Sequence, residues 1–325
     1  MAAEGIAGAD WPTFGWCDDV RPAMLAATGE GRPVSLATLY RVGGSAPRGP
    51  GAQMLFDGQR AWGYFSGDCI EGDVAQHAAE VLASGVPQRL HYGAGSPWID
   101  IRLRCGGALH VLVERVEPTC PALAQMAAAM EQRQACLWQS DGAQRMVTLG
   151  DAPLLTWQAE PFLLTRRFDP PRRLIVSGGD PGALALAQLA QQSGFETILV
   201  RPDGPSDEPP FAVARYLRMG TAEALDTLKV DRWTAYIGAT HEDRHDLGAC
   251  LHALRHGAAY VGMIGAKSRA EGRRDMLVAA GATAEELARL RLTPGIAGLG
   301  KHPWAVATGI VAEVMQAMNP ARERA

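Results

Sequence analysis

The chain has 325 residues with a formal net charge of −4, and 47% of its residues are hydrophobic against 20% charged. This length suits two domains, and the acidic balance argues against a nucleic-acid binder, which would carry a basic stripe. No apolar run approaches the roughly 18 residues of a membrane helix and no secretory signal is visible, so we expect a cytoplasmic protein that binds neither nucleic acid nor a membrane.

The N-terminal part is predicted to form a domain over residues 14–117. A change from strand-like to helical spacing of apolar residues predicts a helix that starts near Asp68 and stops at Ser84-Gly85. Strands are predicted at Ser35–Val42, on both sides of the hairpin turn Asp57-Gly58, at Ile99–Arg104 and at Leu109–Val116. These elements indicate one mixed sheet with a covering helix.

Residues 118–170 are predicted to be a connecting segment. It contains a short helix near Ala122–Arg133 and two strands, near Ala135–Trp138 and Gln144–Leu149, and it ends at two prolines that interrupt regular structure. From residue 171 to residue 319 strands and helices alternate, which predicts a parallel, Rossmann-like sheet. The predicted fold class is α/β, with an N-terminal mixed-sheet α+β domain followed by a Rossmann-like domain.

The motif S-G-D-C-I-E at 66–71 stands where a predicted strand runs into a predicted helix. With Asp68 as N-cap, Glu71 falls at the third helical position, as in a capping box. Cys69 would then lie in the first helical turn, where free backbone N–H groups and the helix dipole favour a thiolate. The acidic neighbours act against this, so Cys69 is either a reactive thiol or a small packing residue.

A second thiol, Cys105, precedes two glycines, which permit a close approach to the backbone. Arg102 and Arg104 share one face of the predicted strand before it, an arrangement that could clamp a phosphate group. A hairpin with solvated arginines is the simpler interpretation of this segment by itself. None of the six cysteines forms a C-x-x-C pair, and we expect reduced thiols.

The loop Gly43–Ala52 is rich in glycine and proline, and Ser45 and Arg48 project from it. Rigid loops with several exposed N–H groups can form anion nests. Taken alone, this loop is still read more simply as a structural turn.

The first turn of the C-terminal part resembles a dinucleotide fingerprint at Gly179 and Gly182, but Ser177 replaces its first glycine. Arg201 stands at the position where an NAD-binding site has an aspartate or glutamate, and Asp203 follows two residues later. Arg201 could accept a 2′-phosphate, or the nucleotide site could be lost. Binding of phosphate at the helix start remains an option.

The third predicted strand of this part leads into A-T-H-E-D-R-H-D. His241 and His245 are four residues apart and could share a metal ion with Asp246, although Thr240 as a helix N-cap is the simpler interpretation. Lys267 begins another helix near the same edge. The carboxyl end of a parallel sheet is where such folds bind ligands.

Six motifs follow one another in a specific order: Gly44–Met54, Ser66–Glu71, Cys105–Gly107, Thr240–Leu247, Ala259–Lys267 and Pro294–Pro303. Together they resemble the XdhC/CoxI family, the accessory proteins of molybdenum hydroxylases such as xanthine dehydrogenase and aldehyde oxidoreductases. The motifs are spread along nearly the whole chain outside residues 118–170. The stretches Gly63–Val74 and Gly95–Leu103 resemble in particular the branch that serves periplasmic-type aldehyde oxidoreductases.

The resemblance implies an accessory chaperone rather than an enzyme. Such a protein transiently binds a molybdenum-pterin cofactor, protects it while a cysteine desulfurase installs its terminal sulfur ligand, and inserts it into an apo molybdenum hydroxylase. In the aldehyde-oxidoreductase branch the cofactor would carry a cytosine nucleotide. A homodimer is left open.

Thiols suit a soft metal–sulfur centre, so Cys69 and Cys105 are expected to face the molybdenum of the bound cofactor. The residues expected to bind the cofactor are Ser45, Arg48, Cys69, Glu71, Arg102, Arg104, Cys105, Gly106, Gly179, Gly182, His241 and Lys267.

The sequence departs from the family pattern at two places. Asp68 stands where many members have glycine, and Ser177 and Asp180 alter the usual G-x-G-H motif. The main alternative function is an NAD(P)-dependent oxidoreductase built on the Rossmann-like domain. A thiol redox enzyme using Cys69 and Cys105 also remains open, as does an assembly scaffold without a ligand.

Overall fold

The computed structural model describes residues 17–93, 96, 103 and 106–319, without the side chain of Arg244. The chain divides into two compact units, Met1–Pro170 and Pro171–Ala325. The predicted α/β fold class is confirmed, with antiparallel sheets in the first unit and a parallel sheet in the second. The predicted domain boundary at residue 117 stays a prediction. None of the described helices is long and apolar enough to cross a lipid bilayer.

The first unit opens with two helices and five strands. Their bounds are Arg21–Gly29 (α1), Val34–Gly43 (β1), Gln53–Phe56 (β2), Ala61–Trp62 (β3), Glu71–Ser84 (α2), Gln88–Gly93 (β4) and Ala108–Val116 (β5). The strands form one sheet in the order β3-β2-β1-β5-β4. Apart from Leu103, the predicted strand Ile99–Arg104 lies outside the described residues.

The described strand pairs of this sheet are all antiparallel, whereas the sequence favoured a mixed sheet. The loop Gly44–Ala52, which joins β1 to β2, is shorter than the crossover that a parallel pair needs. The short β1–β2 loop therefore joins an antiparallel pair, and helix α2 connects the two edge strands β3 and β4, which are not paired with each other.

The two faces of this sheet bury different partners. Helix α2 covers one face, in a group of apolar residues that we call the α2 cluster: Ala37, Leu39, Met54, Phe65, Ile70, Val74, Ala78, Val81, Leu103, Leu109, Val111 and Val113 with their neighbours. Helix α1 and the following helix, Pro121–Glu131 (α3), cover the other face through Met24 and Met126. The sheet is thus buried on both sides.

A second, four-stranded sheet follows α3. Its strands are Cys136–Ser140 (β6), Arg145–Leu149 (β7), Leu155–Ala159 (β8) and Phe162–Phe168 (β9), in the order β7-β6-β9-β8. The sequence predicted α3, β6 and β7 but not β8 and β9. The rings of Trp157 and Phe162 lie 5.2 and 5.5 Å from that of Tyr40 in β1, so the second sheet packs against the first.

The second unit alternates strands and helices. Its elements are Arg173–Gly178 (β10), Pro181–Gln192 (α4), Glu196–Val200 (β11), Arg215–Leu217 (β12), Thr221–Leu228 (α5), Thr234–Ala239 (β13), Asp243–Arg255 (α6), Tyr260–Met263 (β14), the 3-10 helix Lys267–Arg269, Ala270–Ala279 (α7), Ala284–Arg289 (α8), Leu290–Arg291 (β15) and Pro303–Ala317 (α9). All strand pairs are parallel.

The strand order in this sheet is β12-β11-β10-β13-β14-β15, which is the order of a Rossmann fold. Strands β10 and β13 are buried along their whole length, as expected of central strands covered by helices on both faces. From β10 the chain first adds strands on one side, β11 and β12, and then on the other side, from β13 onwards. The switch point of the strand order therefore lies between β10 and β13, and such sheets bind ligands in the crevice at the carboxyl ends of the strands there.

Candidate functional site

The carboxylate of Glu71 organises the loop that precedes α2. It accepts hydrogen bonds from the backbone N–H groups of Phe65, Ser66, Gly67, Asp68 and Ile70 and from the Ser66 hydroxyl, over distances of 2.6–3.2 Å. Glu71 is fully buried. Burial by itself would raise its pKa, but the hydrogen bonds prevail and lower the pKa to about 2.

This arrangement corrects two predictions. Helix α2 begins at Glu71 and its N-cap is Ile70, so Asp68 is not the N-cap and Cys69 lies in the loop rather than in the first helical turn. The carboxylate of Glu71 occupies backbone N–H groups that were expected to be free and to favour a thiolate at Cys69. The geometry therefore assigns Glu71 to the structure of the loop and speaks against a direct contact with a ligand.

Asp68 has a φ of +93°, between Gly67 at +76° and the half-buried Cys69. A residue with a Cβ is strained in this region of backbone space, whereas glycine is not. A glycine at position 68 would adopt the same backbone conformation without this strain.

The loop Gly44–Ala52 contacts the turn Gly106-Gly107 through the backbone. A Cβ at Gly107 would collide with the carbonyl oxygen of Ser45, and one at Gly44 would lie 3.5 Å from the Cα of Gly107. Both Ser45 and Gly106 are exposed. The two segments that carry the predicted site residues Ser45 and Gly106 thus lie side by side at the end of the paired strands β1 and β5.

Arg48, also predicted to bind the cofactor, forms an ion pair with Asp18 and lies 4.8 Å above the ring of Tyr64. Asp18 is well exposed, so an anionic ligand could compete with it for the guanidinium. The far end of the same loop is held by Arg166 of β9, whose Nε donates to the carbonyl oxygen of Gly51 at 2.7 Å. Sequence reasoning missed Arg166, because a partner 115 residues away leaves no local signal.

Cys69 and Ala46 of the β1–β2 loop pack against the α2 cluster, which includes Leu103. Three segments that carry predicted site residues therefore meet on one apolar base. Arg102, Arg104 and Cys105 lie outside the described residues, so their assignment to the site stays a prediction.

In the second unit, Arg201 follows β11 and its guanidinium lies flat against Gly179. A Cβ at position 179 would lie 2.5 Å from the Cζ of Arg201. Only glycine allows this contact without moving the arginine. The side chain that replaces the usual acid thus covers the turn that a dinucleotide would approach.

The start of α4 is capped by Asp180, whose Oδ1 accepts the backbone N–H of Ala183 at 2.8 Å. Its Oδ2 lies 3.2 Å from Nε2 of His241, across the point where the strand order reverses. A carboxylate at this helix start occupies a backbone donor and repels an anion. The expectation that phosphate binds there, next to Gly182, is therefore not supported by the geometry.

His241 has a φ of +64° and turns the chain after β13. The N-cap of α6 is Glu242, not Thr240 as predicted. The Thr240 hydroxyl instead donates to the buried carboxylate of Asp246 at 2.9 Å. His245 pairs with Glu242 at 3.3 Å. The histidines and Asp246 thus point to different partners, and the described part of the chain holds no cluster of three or more such side chains suited to a metal ion.

Lys267 is exposed at the start of the 3-10 helix that follows β14. The turn before Lys267 packs on the side chain of Arg273, which is fully buried. Arg273 donates hydrogen bonds to the Asp243 carboxylate at 3.0 Å and to the carbonyl oxygen of Ile264, in this turn, at 3.2 Å. Gly265 is needed here, because a Cβ would lie 2.6 Å from the Cζ of Arg273. Sequence reasoning missed this buried arginine.

Comparisons with known proteins place these motifs in a family. A family model described as the XdhC Rossmann domain matches residues 174–314, and one described as the XdhC and CoxI family matches residues 27–93. The chain is 28% identical over 302 residues to the molybdenum cofactor insertion chaperone PaoD of Escherichia coli (strain K12), covering 91% of this chain and 88% of that protein.

The chain is also 23% identical over 270 residues to a probable xanthine dehydrogenase subunit of Bacillus subtilis (strain 168), covering 72% of this chain and 80% of that protein. A crystal structure of a xanthine dehydrogenase from Bacillus halodurans shares the fold, with a TM-score of 0.72 at 22% identity over 94% of this chain and 96% of that chain. The two family models together match more than half of the residues. The chain belongs to the XdhC and CoxI family.

Proposed function

We propose that this protein is a chaperone that binds a molybdenum-pterin cofactor and inserts it into an apo molybdenum hydroxylase. The observation that carries the proposal is the similarity to PaoD, a molybdenum cofactor insertion chaperone, which extends over most of both chains. Similarity of this extent includes both units, so it concerns the whole protein and not one shared domain.

The geometry of the first unit is consistent with binding of a molybdenum-pterin cofactor. The half-buried Cys69, the exposed Ser45 and the exposed Gly106 belong to segments that converge beside the α2 cluster. A thiol is a suitable neighbour for a soft molybdenum–sulfur centre, and exposed glycine backbone lets a bulky ring system approach closely. Arg48, whose ion-pair partner Asp18 is well exposed, can turn to an anionic group on the cofactor.

Several finer points are part of the proposal. The cofactor is protected while a cysteine desulfurase adds its terminal sulfur ligand, and it carries a cytosine nucleotide if the client is an aldehyde oxidoreductase. The protein acts in the cytoplasm, where the described cysteines, all free thiols, would stay reduced. It performs no reaction of its own.

An NAD(P)-dependent oxidoreductase is less well supported. Asp180 occupies the donor at the start of α4, and the guanidinium of Arg201 covers Gly179. Both features oppose the approach of a pyrophosphate to the first turn of the Rossmann-like sheet.

The proposal can be tested on the full chain purified from cells grown with sufficient molybdate. After oxidation, the pterin released from the protein is measured by its fluorescence, with an unrelated protein purified in parallel as the control. We expect released pterin in stoichiometric proportion, and stimulation of activity when the loaded protein is mixed with an apo molybdenum hydroxylase. Absence of both pterin and stimulation would contradict the proposal.

A further inference from the structure

Arg201 is a half-buried arginine that directly follows β11 at the carboxyl edge of the sheet. Its guanidinium is held against Gly179, yet none of its nitrogens has a hydrogen-bond or ion-pair partner among the described residues. An arginine has five N–H donors in a planar fork. The donors of Arg201 are therefore positioned by contact with the backbone and left available on the outer side.

A second arginine, Arg218, follows the neighbouring strand β12. Its Nε donates to the carbonyl oxygen of Gly204 at 2.9 Å, while its terminal nitrogens have no partner among the described residues. Gly204 also contacts the stem of Arg201, because a Cβ there would lie 2.8 Å from the Cβ of Arg201. The two arginines thus flank one glycine at the carboxyl edge of the sheet.

The negative charges nearby limit where an anion could sit. Asp180 lies at the start of α4 and is engaged by Ala183 and His241, so an anion is repelled from that side. A pyrophosphate spanning the turn would meet the Asp180 carboxylate. A single phosphate group beside Arg201 and Arg218 would not need to approach it.

We propose that Arg201 and Arg218 form a binding site for a phosphate monoester at the carboxyl edge of the C-terminal sheet. Two guanidinium forks match the oxygens of a phosphate dianion through paired, charge-assisted hydrogen bonds. The site goes beyond the proposed chaperone function, since it requires neither molybdenum nor pterin. It rests on the chaperone proposal only if the phosphate monoester is part of the molybdenum-pterin cofactor.

The probe is inorganic phosphate, titrated calorimetrically into the full chain at low ionic strength, with pyrophosphate as a comparison. We expect phosphate to bind with at least the affinity of pyrophosphate, and to bind more weakly as salt is added, because salt screens the attraction between exposed charges. Arg201→Gln and Arg218→Gln should each weaken phosphate binding about tenfold, the effect of losing one good charge-assisted interaction.

Two further variants sharpen the test. Arg215→Gln removes an exposed arginine from the opposite end of β12 and should leave phosphate binding unchanged. Gly179→Ala keeps every charge but displaces the guanidinium of Arg201, so it should also weaken binding. Melting temperatures confirm that each variant is folded.

The site assignment would be overturned if phosphate failed to bind the wild-type chain at millimolar concentration, or if Arg201→Gln and Arg218→Gln bound it as the wild type does. Release of pterin from the same preparations is measured separately. Loss of phosphate binding with normal pterin content would reject this site alone, whereas absence of pterin with normal phosphate binding would reject the chaperone proposal alone.

Discussion

The Ser66 hydroxyl donates to the Glu71 carboxylate at 2.6 Å, and the Oγ atom of Ser66 also accepts a hydrogen bond from the backbone N–H of Cys69 at 2.9 Å. The thiol-bearing residue is therefore held in place by a carboxylate that it does not touch. The position of Cys69 depends on the ionisation of Glu71, and this dependence can be measured.

Glu71→Gln should destabilise the loop before α2. A neutral amide has one acceptor oxygen, and its NH2 group would face backbone N–H donors, leaving several of them without a partner. We expect a loss of about 3 kcal/mol in the free energy of unfolding, and faster hydrogen exchange of the amides of residues 65–70. The control is Glu80→Gln on the exposed side of α2, which should leave the melting temperature nearly unchanged. Slow exchange at residues 65–70 in the Glu71→Gln variant would refute this explanation of the loop.

Acid should weaken the first unit through the same group. The pKa of Glu71 is lowered from 4.5 to about 2, because the hydrogen bonds to the carboxylate outweigh the effect of burial. A lowered pKa in the folded state means that the stabilisation is complete above pH 4.5 and is lost as the pH falls towards about 2. Urea unfolding of the wild type should show this decline, and Glu71→Gln should lack that part of it. Equal slopes in the two proteins would contradict the assignment.

Asp68→Gly should stabilise the protein by about 1 kcal/mol, because glycine adopts a positive φ without the cost that a Cβ imposes. The backbone N–H that donates to Glu71 is kept. Asp68→Ala is the matched control, since it removes the carboxylate but keeps the Cβ, and we expect no gain from it. If alanine stabilised the protein as much as glycine does, removal of charge and not relief of strain would be the cause.

Cys69→Ser should shift the melting temperature by only a few degrees and impair delivery of active cofactor to the apo-enzyme. Cys69 is half-buried, so the new hydroxyl can reach water. Cys136→Ser is the comparison, because Cys136 is fully buried and an unpaired hydroxyl there should cost about 1–3 kcal/mol. Melting temperature and reconstituted aldehyde or xanthine oxidation are both measured. A Cys69→Ser protein that melts early but reconstitutes normally would show that this thiol is structural.

NADH should bind weakly or not at all. Asp180 caps α4, and Arg201 covers Gly179, so neither the helix start nor the turn is open to a pyrophosphate. Calorimetric titration with NADH and NADPH is the direct measurement. Submicromolar binding of NADH would favour the oxidoreductase over the chaperone.

Most of the C-terminal fold could be predicted because its central strands are continuous apolar runs separated by helical periodicity. Strands β10, β11, β13 and β14 were found in this way. The short edge strand β12 and the two-residue β15 were missed, since an exposed or very short strand shows no distinctive pattern. In the first unit, the same limit applied to β8, whose residues are mostly exposed.

The candidate site was less accessible to prediction. The motif D-C-I-E suggested an Asp68 cap because local spacing matches a capping box, but the carboxylate of Glu71 folds back over the residues before it. The glycine at position 67 was the one local indication that residues 67 and 68 adopt positive φ angles and so precede the helix. The contacts of Arg166 with Gly51 and of Asp180 with His241 join residues far apart in the chain, and one sequence contains no trace of such pairs.

The hydrogen bond from Arg166 to Gly51 also bears on how this family could be recombined. Strand β9 belongs to a stretch that looks like a replaceable insert between two halves, yet it reaches back to position the loop that carries Ser45 and Arg48. A chimera that exchanged residues 118–170 with those of a relative, and left the loop unchanged, would join two parts that had not adapted to each other. Arg166 and the loop Gly44–Ala52 would have to come from the same protein for the chimera to keep the shape of its ligand-facing surface.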